Sequence, residues 1–149
     1  MASHLLIIEA RYYEELADEL LRGAVAALDR AGATHEVLTV PGALEIPAAL
    51  AMAVSAVKSR RARYDGYVLL GCVIRGETTH YDIVAGESAR GYMDIAIAER
   101  IAVGNGILTV ENDEQAYARA RVGGMNKGGG AAEAALAMIA VRRKMGLAG

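Results

Sequence analysis

The stretch GCVIRGETTHYD, Gly71 to Asp82, sets Arg75, Glu77, Thr78, Thr79, His80 and Asp82 directly after an apolar run, Tyr67 to Val73. A segment that only joined a strand to a helix would not need so many reactive groups. Its start, GCVIRGET, has the spacing of a phosphate-binding P-loop, except that Glu77 stands where the lysine would be. A carboxylate there repels terminal phosphates, which excludes nucleoside triphosphate hydrolysis. The geometry survives the change: a glycine turn brings backbone N–H groups and threonine hydroxyls to a helix start, a favourable place for a small phosphate ester. Arg119 could add a cation, or it could belong to a solvated helix face. His80 carries an imidazole, the side chain type suited to proton transfer, worth ~10²- to 10⁴-fold in rate, or it caps a helix. Glu45, inside the apolar frame PGALEIP, could bond polyol or amine hydrogens or cap the helix that follows. Tyr12 could stack on a flat ring or belong to the core. His80 and Asp82 lack a third partner for a metal, because His4 and His35 fall far from them in the chain. Cys72 lies inside a strand with no activating neighbour and reads as packing, not as a nucleophile. With no Ser–His–Asp pattern present, any chemistry here has a substrate that supplies its own nucleophile.

These groups need elements to position them. Four short apolar runs stand out: Leu5 to Ala10, Glu36 to Val40, Tyr67 to Val73 and Gly106 to Val110. The first, third and fourth are nearly continuous in apolar character, the habit of strands buried on both faces of a parallel sheet. Between them lie helical stripes. Leu16, Leu20, Leu21, Ala24 and Leu28 recur at helical spacing up to a stop at Gly32, and Ile46, Leu50, Val54 and Val57 form a second stripe with Pro47 in its first turn. Further helices are predicted from Tyr81 to Arg100, Glu114 to Ala120 and Ala131 to Lys144. Four strand–helix alternations predict an α/β fold, an open parallel sheet with helices on both faces. In such sheets ligands bind beyond the carboxyl ends of the strands. There the sequence places Glu9, Arg11, Tyr12 and Tyr13, then Glu45, then Arg75 to Asp82, then Thr109, Glu111 and Asn112.

Length and composition agree with one domain covering 1–149, with 54% apolar and 23% charged residues and no repeat or linker. The low-complexity patch is GGMNKGGG, Gly123 to Gly130. A net charge of -2 gives no footprint for nucleic acid. The N-terminus has neither a signal-peptide pattern nor a membrane span, and the single cysteine fits a cytoplasmic protein.

The motifs PGALEIP, GCVIRGETTHYD, GILTVEN, EQAYARA and MNKGG, in that order and at those distances, closely resemble the lumazine synthase family from about Leu5 to Lys144. The resemblance implies a flavodoxin-like three-layer αβα sandwich with a four-stranded parallel sheet. It implies the condensation of 5-amino-6-ribitylamino-uracil with 3,4-dihydroxy-2-butanone 4-phosphate to 6,7-dimethyl-8-ribityllumazine, with no metal and no organic cofactor. Carried over residue by residue, Gly76, Glu77, Thr78 and Arg119 hold the phosphate and His80 shuttles protons. Tyr12 stacks on the pyrimidine, and Val73 and Ile74 read its edge through their backbone beside Cys72. Glu45 holds the ribityl hydroxyls next to Ala43 and Leu44, and Lys127 approaches from the neighbouring side. The site is shared between subunits of a homo-oligomer, expected here to be a pentamer rather than a decamer or a sixty-subunit shell, because few residues precede the first strand. Three positions depart from the family pattern. Leu44 and Asn105 stand where an aromatic is common, and Tyr13 replaces a small polar residue. The resulting thinner ring clamp leaves a catalytically weak lumazine- or flavin-binding paralogue, or a purely structural assembly protein, as the other readings. Gly129 and Gly130 predict a loose entry to the last helix.

Overall fold

The apolar runs become a four-stranded, all-parallel sheet in the order β2-β1-β3-β4. The structure, a computed structural model, describes residues 2–147, so residues 1, 148 and 149 of the expected 1–149 span lie outside the described residues. Along the chain come β1 (His4–Ala10), α1 (Glu14–Arg30), β2 (Thr34–Val40), a short 3₁₀ turn (Ala43–Glu45), α2 (Ile46–Lys58), β3 (Gly66–Ile74), α3 (His80–Glu99), β4 (Val103–Val110), α4 (Asp113–Ala120) and α5 (Lys127–Lys144).

Alternation along the strands builds two cores. Leu5 and Ile7 of β1, with Val68 and Leu70 of β3, face α1, α4 and α5. Leu6 and Ile8, with Tyr67 and Leu69, face α2 and α3. Strands buried on both faces carry few polar positions, which explains the apolar runs Leu5 to Ile8 of β1 and Tyr67 to Leu70 of β3, with Glu9 the buried exception. Each fully buried Leu or Ile contributes about 1.5–3 kcal/mol by leaving water. β2 lies at the sheet edge and is mostly exposed, with Val37 and Leu38 facing outward. This layering is the flavodoxin-like αβα sandwich, with every strand's carboxyl end on one edge.

Two boundaries move by several residues from those expected, and both involve glycine. β4 begins at Val103 rather than Gly106, because Gly104 belongs to the strand. A Cβ on Gly104 would stand 1.8 Å from the Ala131 carbonyl oxygen, so α5 lies directly on the strand backbone. α5 begins at Lys127 rather than Ala131. Asn126 caps it, accepting from the Gly129 N–H at 3.2 Å while its own backbone is left-handed at φ 48°. Of the two glycines expected to loosen this entry, Gly129 is buried, as is Gly128 before it, while Gly130 is exposed. A Cβ on Gly128 would meet the Leu20 carbonyl oxygen of α1 at 2.1 Å. At Gly128 the missing side chain serves contact, not freedom.

Candidate functional site

The carboxyl edge of the sheet opens into a cavity of about 380 Å³. The turn after β1 gives it Tyr12 and Tyr13, the 3₁₀ turn gives Gly42, Ala43, Leu44 and Glu45, and the end of β3 gives Cys72, Val73 and Ile74. Gly76, Thr78, His80, Tyr81 and Val84 complete the wall. Gly76, Thr78 and His80 therefore border the same space as Tyr12 and Glu45, from separate segments of chain.

Local geometry sets each group. Tyr12 is 75% exposed and touches Tyr13 edge to face, with ring centroids 4.9 Å apart. Tyr13 packs its ring on the core, and burial, helped by the nearby Cys72, pushes its hydroxyl pKa up. Glu45 precedes α2 but makes no side-chain cap, so its carboxylate is left to the cavity. Thr78 Oγ1 accepts from the His80 N–H at 3.3 Å, which leaves the imidazole at the first position of the 20-residue helix α3 facing the cavity. The Gly76–Thr78 turn leads directly into the start of α3, and a helix N-terminus favours an anion. Burial holds the Cys72 thiol protonated, with its pKa pushed up to about 12, in keeping with a wall residue rather than a nucleophile.

Arg75 is committed elsewhere. Its Nε donates to both Glu111 carboxylate oxygens at 3.0 Å, its Nη1 lies 3.6 Å from Asp82, and its guanidinium sits 4.3 Å over the Tyr81 ring. It ties the ends of β3 and β4 to α3. Four of the expected residues do not line this chain's cavity. Glu77 is exposed on the turn. Arg119 lies on α4 and donates to the Gln115 carbonyl at 3.1 Å. Lys127 is the exposed first residue of α5. Asn105 is near the amino end of β4, opposite Leu69, and accepts from the Ile107 N–H at 2.9 Å. Tyr81 and Val84 were missed from the sequence. Val84 stands four residues after His80, and that helical spacing was the signal available. Among the described residues no group of three or more His, Cys, Asp or Glu comes together to hold a metal ion, and no helix is long and apolar enough to cross a membrane.

An open parallel sheet with its polar turns gathered at the carboxyl edge defines a flavodoxin-like domain that binds a small ligand there. The sequence model of 6,7-dimethyl-8-ribityllumazine synthase matches residues 2–143, and the chain belongs to that family. It is 62% identical over 143 residues to 6,7-dimethyl-8-ribityllumazine synthase 1 of Rhizobium meliloti (strain 1021), covering 96% of this chain and 94% of that protein. It is 61% identical to the synthase of Methylorubrum extorquens (strain PA1), over 97% of this chain and 84% of that protein. For the synthase of Agrobacterium fabrum the identity is 60%, over 96% and 97%.

Proposed function

We propose that this chain is a working 6,7-dimethyl-8-ribityllumazine synthase. It condenses 5-amino-6-ribitylamino-uracil with 3,4-dihydroxy-2-butanone 4-phosphate, giving 6,7-dimethyl-8-ribityllumazine, phosphate and water, the penultimate step of riboflavin biosynthesis. One observation carries the reading: Tyr12, Glu45, Val73, Ile74, Thr78 and His80 meet at one cavity in a chain about 60% identical to synthases of this name. The cavity suits a flat ring bearing a polyol. Tyr12 offers a stacking face, the β3 end offers backbone groups to the ring edge, and Glu45 accepts from ribityl hydroxyls.

The butanone phosphate takes the Gly76–Glu77–Thr78 turn, where the α3 N-terminus and the Thr78 hydroxyl favour an anion, and Arg119 supplies the cation. The pyrimidine's own amine attacks the ketone and a Schiff base forms with loss of water; phosphate leaves, and the ribitylamino nitrogen closes the ring on the remaining carbonyl with loss of a second water. His80 moves the protons between these steps. No protein nucleophile takes part, in keeping with the protonated Cys72 thiol.

We infer a homopentamer with sites shared between subunits. α3 buries only Val84 and Ser88 in this chain. Ile83, Met93 and Ile97 on it, Met52 on α2 and Val37 and Leu38 on the β2 edge are exposed, and so many exposed large apolar side chains favour an interface. Asn105, Arg119 and Lys127, outside this chain's cavity wall, then serve a neighbour's cavity. The whole of 1–149 acts as one domain in the cytoplasm.

The test follows lumazine fluorescence above the uncatalysed rate, with His80→Ala and Arg119→Ala beside the natural chain. Fast turnover by the natural chain and slow turnover by both variants is the expected result. A natural chain no faster than background, yet binding a product analogue, would leave only a binding protein.

A further inference from the structure

Glu9, next to last in β1, carries a side chain that is 3% exposed, and the condensation gives it no role. Its partners explain its burial. Arg11 Nε donates to its two oxygens at 3.2 and 3.0 Å, and the Thr39 hydroxyl of β2 donates to Oε2 at 2.6 Å. The rest of the Arg11 guanidinium is taken by the first turns of α1: Nη1 reaches Glu14 at 2.7 Å, and Nη1 and Nη2 reach Asp18 at 2.9 and 2.5 Å. One half-buried cation thus fastens the end of β1, the edge strand and the start of α1 around a turn of three residues. The middle residue of that turn is Tyr12. Being three-quarters exposed, it has little packing of its own beyond the edge of Tyr13. Its place over the cavity is set by its backbone, and its backbone is set by Arg11.

We propose that Arg11, anchored by Glu9, is a positioning residue for the pyrimidine: it holds the Tyr12–Tyr13 turn in its ring-stacking place before substrate arrives. The inference rests on the reading of Tyr12 as the stacking residue. Arginine is required because a planar fork can satisfy three carboxylates at once, and lysine, a single point charge, cannot. A rigid clamp saves the ordering cost at binding, so the effect belongs to the affinity for one substrate and not to turnover.

The experiment compares Arg11→Lys, Tyr12→Ala and the natural chain by steady-state kinetics, varying each substrate in turn. Arg11→Lys is expected to raise KM for the ribitylamino-pyrimidine about five- to tenfold, near the lower end of what one lost base–aromatic stack costs. Its kcat and its KM for the butanone phosphate should stay within about twofold. Equal damage to both substrates, or an unchanged pyrimidine KM, overturns the proposal. If Tyr12→Ala also leaves the pyrimidine KM unchanged, the stacking role itself is wrong; if only Tyr12→Ala raises it, stacking stands and the Arg11 role falls. Should Arg11→Lys not fold, Asp18→Ala, at an exposed position, must give the same one-sided rise at smaller size. A second readout needs no turnover. The chain has no tryptophan, so Tyr12→Trp carries a sole indole at the clamp. Its fluorescence anisotropy should fall when Arg11→Lys or Asp18→Ala is added, and an unchanged anisotropy also counts against the proposal.

Discussion

Three consecutive glycines at the start of α5 should respond to alanine in three different ways. An alanine is about 1 kcal/mol more favourable than glycine inside a helix, so propensity alone predicts a gain at each. At Gly130 a Cβ would meet nothing within 4 Å, and Gly130→Ala should stabilise by about 0.5–1 kcal/mol. At Gly128 the Cβ would stand 2.1 Å from the Leu20 carbonyl oxygen and 2.8 Å from its carbon, where ordinary contact starts near 3.4 Å. Both contacts are backbone and cannot rotate away, so α5 must lift from α1. Overpacking of this kind costs about 1–3 kcal/mol. Taking the upper end and subtracting the propensity gain leaves Gly128→Ala about 2 kcal/mol less stable. Gly129 is intermediate: its Cβ would meet the Asn126 amide nitrogen at 2.5 Å, a side chain that can swing aside but loses its cap, for about 1 kcal/mol. Urea unfolding at one fixed protomer concentration, followed by circular dichroism, gives the three values. Equal shifts for Gly128→Ala and Gly130→Ala would show that the close α1–α5 approach does not exist in solution.

Other consequences are as direct. The Cys72 thiol ordinarily titrates near 9 and burial lifts it to about 12, so at pH 8 its thiolate fraction is about a thousandfold smaller in the folded chain, which should react with iodoacetamide far more slowly than the unfolded chain. Between pH 9 and about 12 the unfolded chain has released a proton that the native chain keeps, so this contribution to stability is whole below pH 9 and is lost as pH rises toward 12. Thermal melts of the natural chain and Cys72→Ala across that range should converge. Asn112 Oδ1 accepts from the Gln115 N–H at 2.9 Å at the start of α4, and Asn112→Ala should lower stability by about 1 kcal/mol in urea melts. Leu50 is fully buried between α2 and the sheet, and Leu50→Ala should cost about 2–5 kcal/mol by the same measurement.

The parts of the fold most legible in the sequence are those fixed by burial on two faces. β1 and β3 could be read from their apolar runs, Leu5 to Ile8 and Tyr67 to Leu70, and α1 because Leu16, Leu20 and Leu28 keep one helical face. The carboxyl-edge rule then brought Tyr12, Glu45, Thr78 and His80 to one side before any geometry was known. What sequence could not give depended on contacts between distant backbones. Gly104 reads as a strand breaker and Gly128 as a loop residue until Ala131 and Leu20 are seen against them. The commitment of Arg75 to Glu111 crosses 36 residues, and nothing local distinguishes that arginine from one waiting for a phosphate.

The position of β2 has a consequence for how the molecule comes into being. This seven-residue strand pairs with β1 alone, so its outer row of backbone groups, beside Val37 and Leu38, can pair with any extended chain that it meets. Folding of one chain is first order in protein, whereas covering that edge takes a second molecule. Refolding at high dilution should leave the edge open longest, and refolding at high concentration should bring unfinished chains to it. Recovery of ordered protein after denaturation should therefore pass through a maximum at intermediate concentration, with the losses on the crowded side appearing as β-rich aggregate.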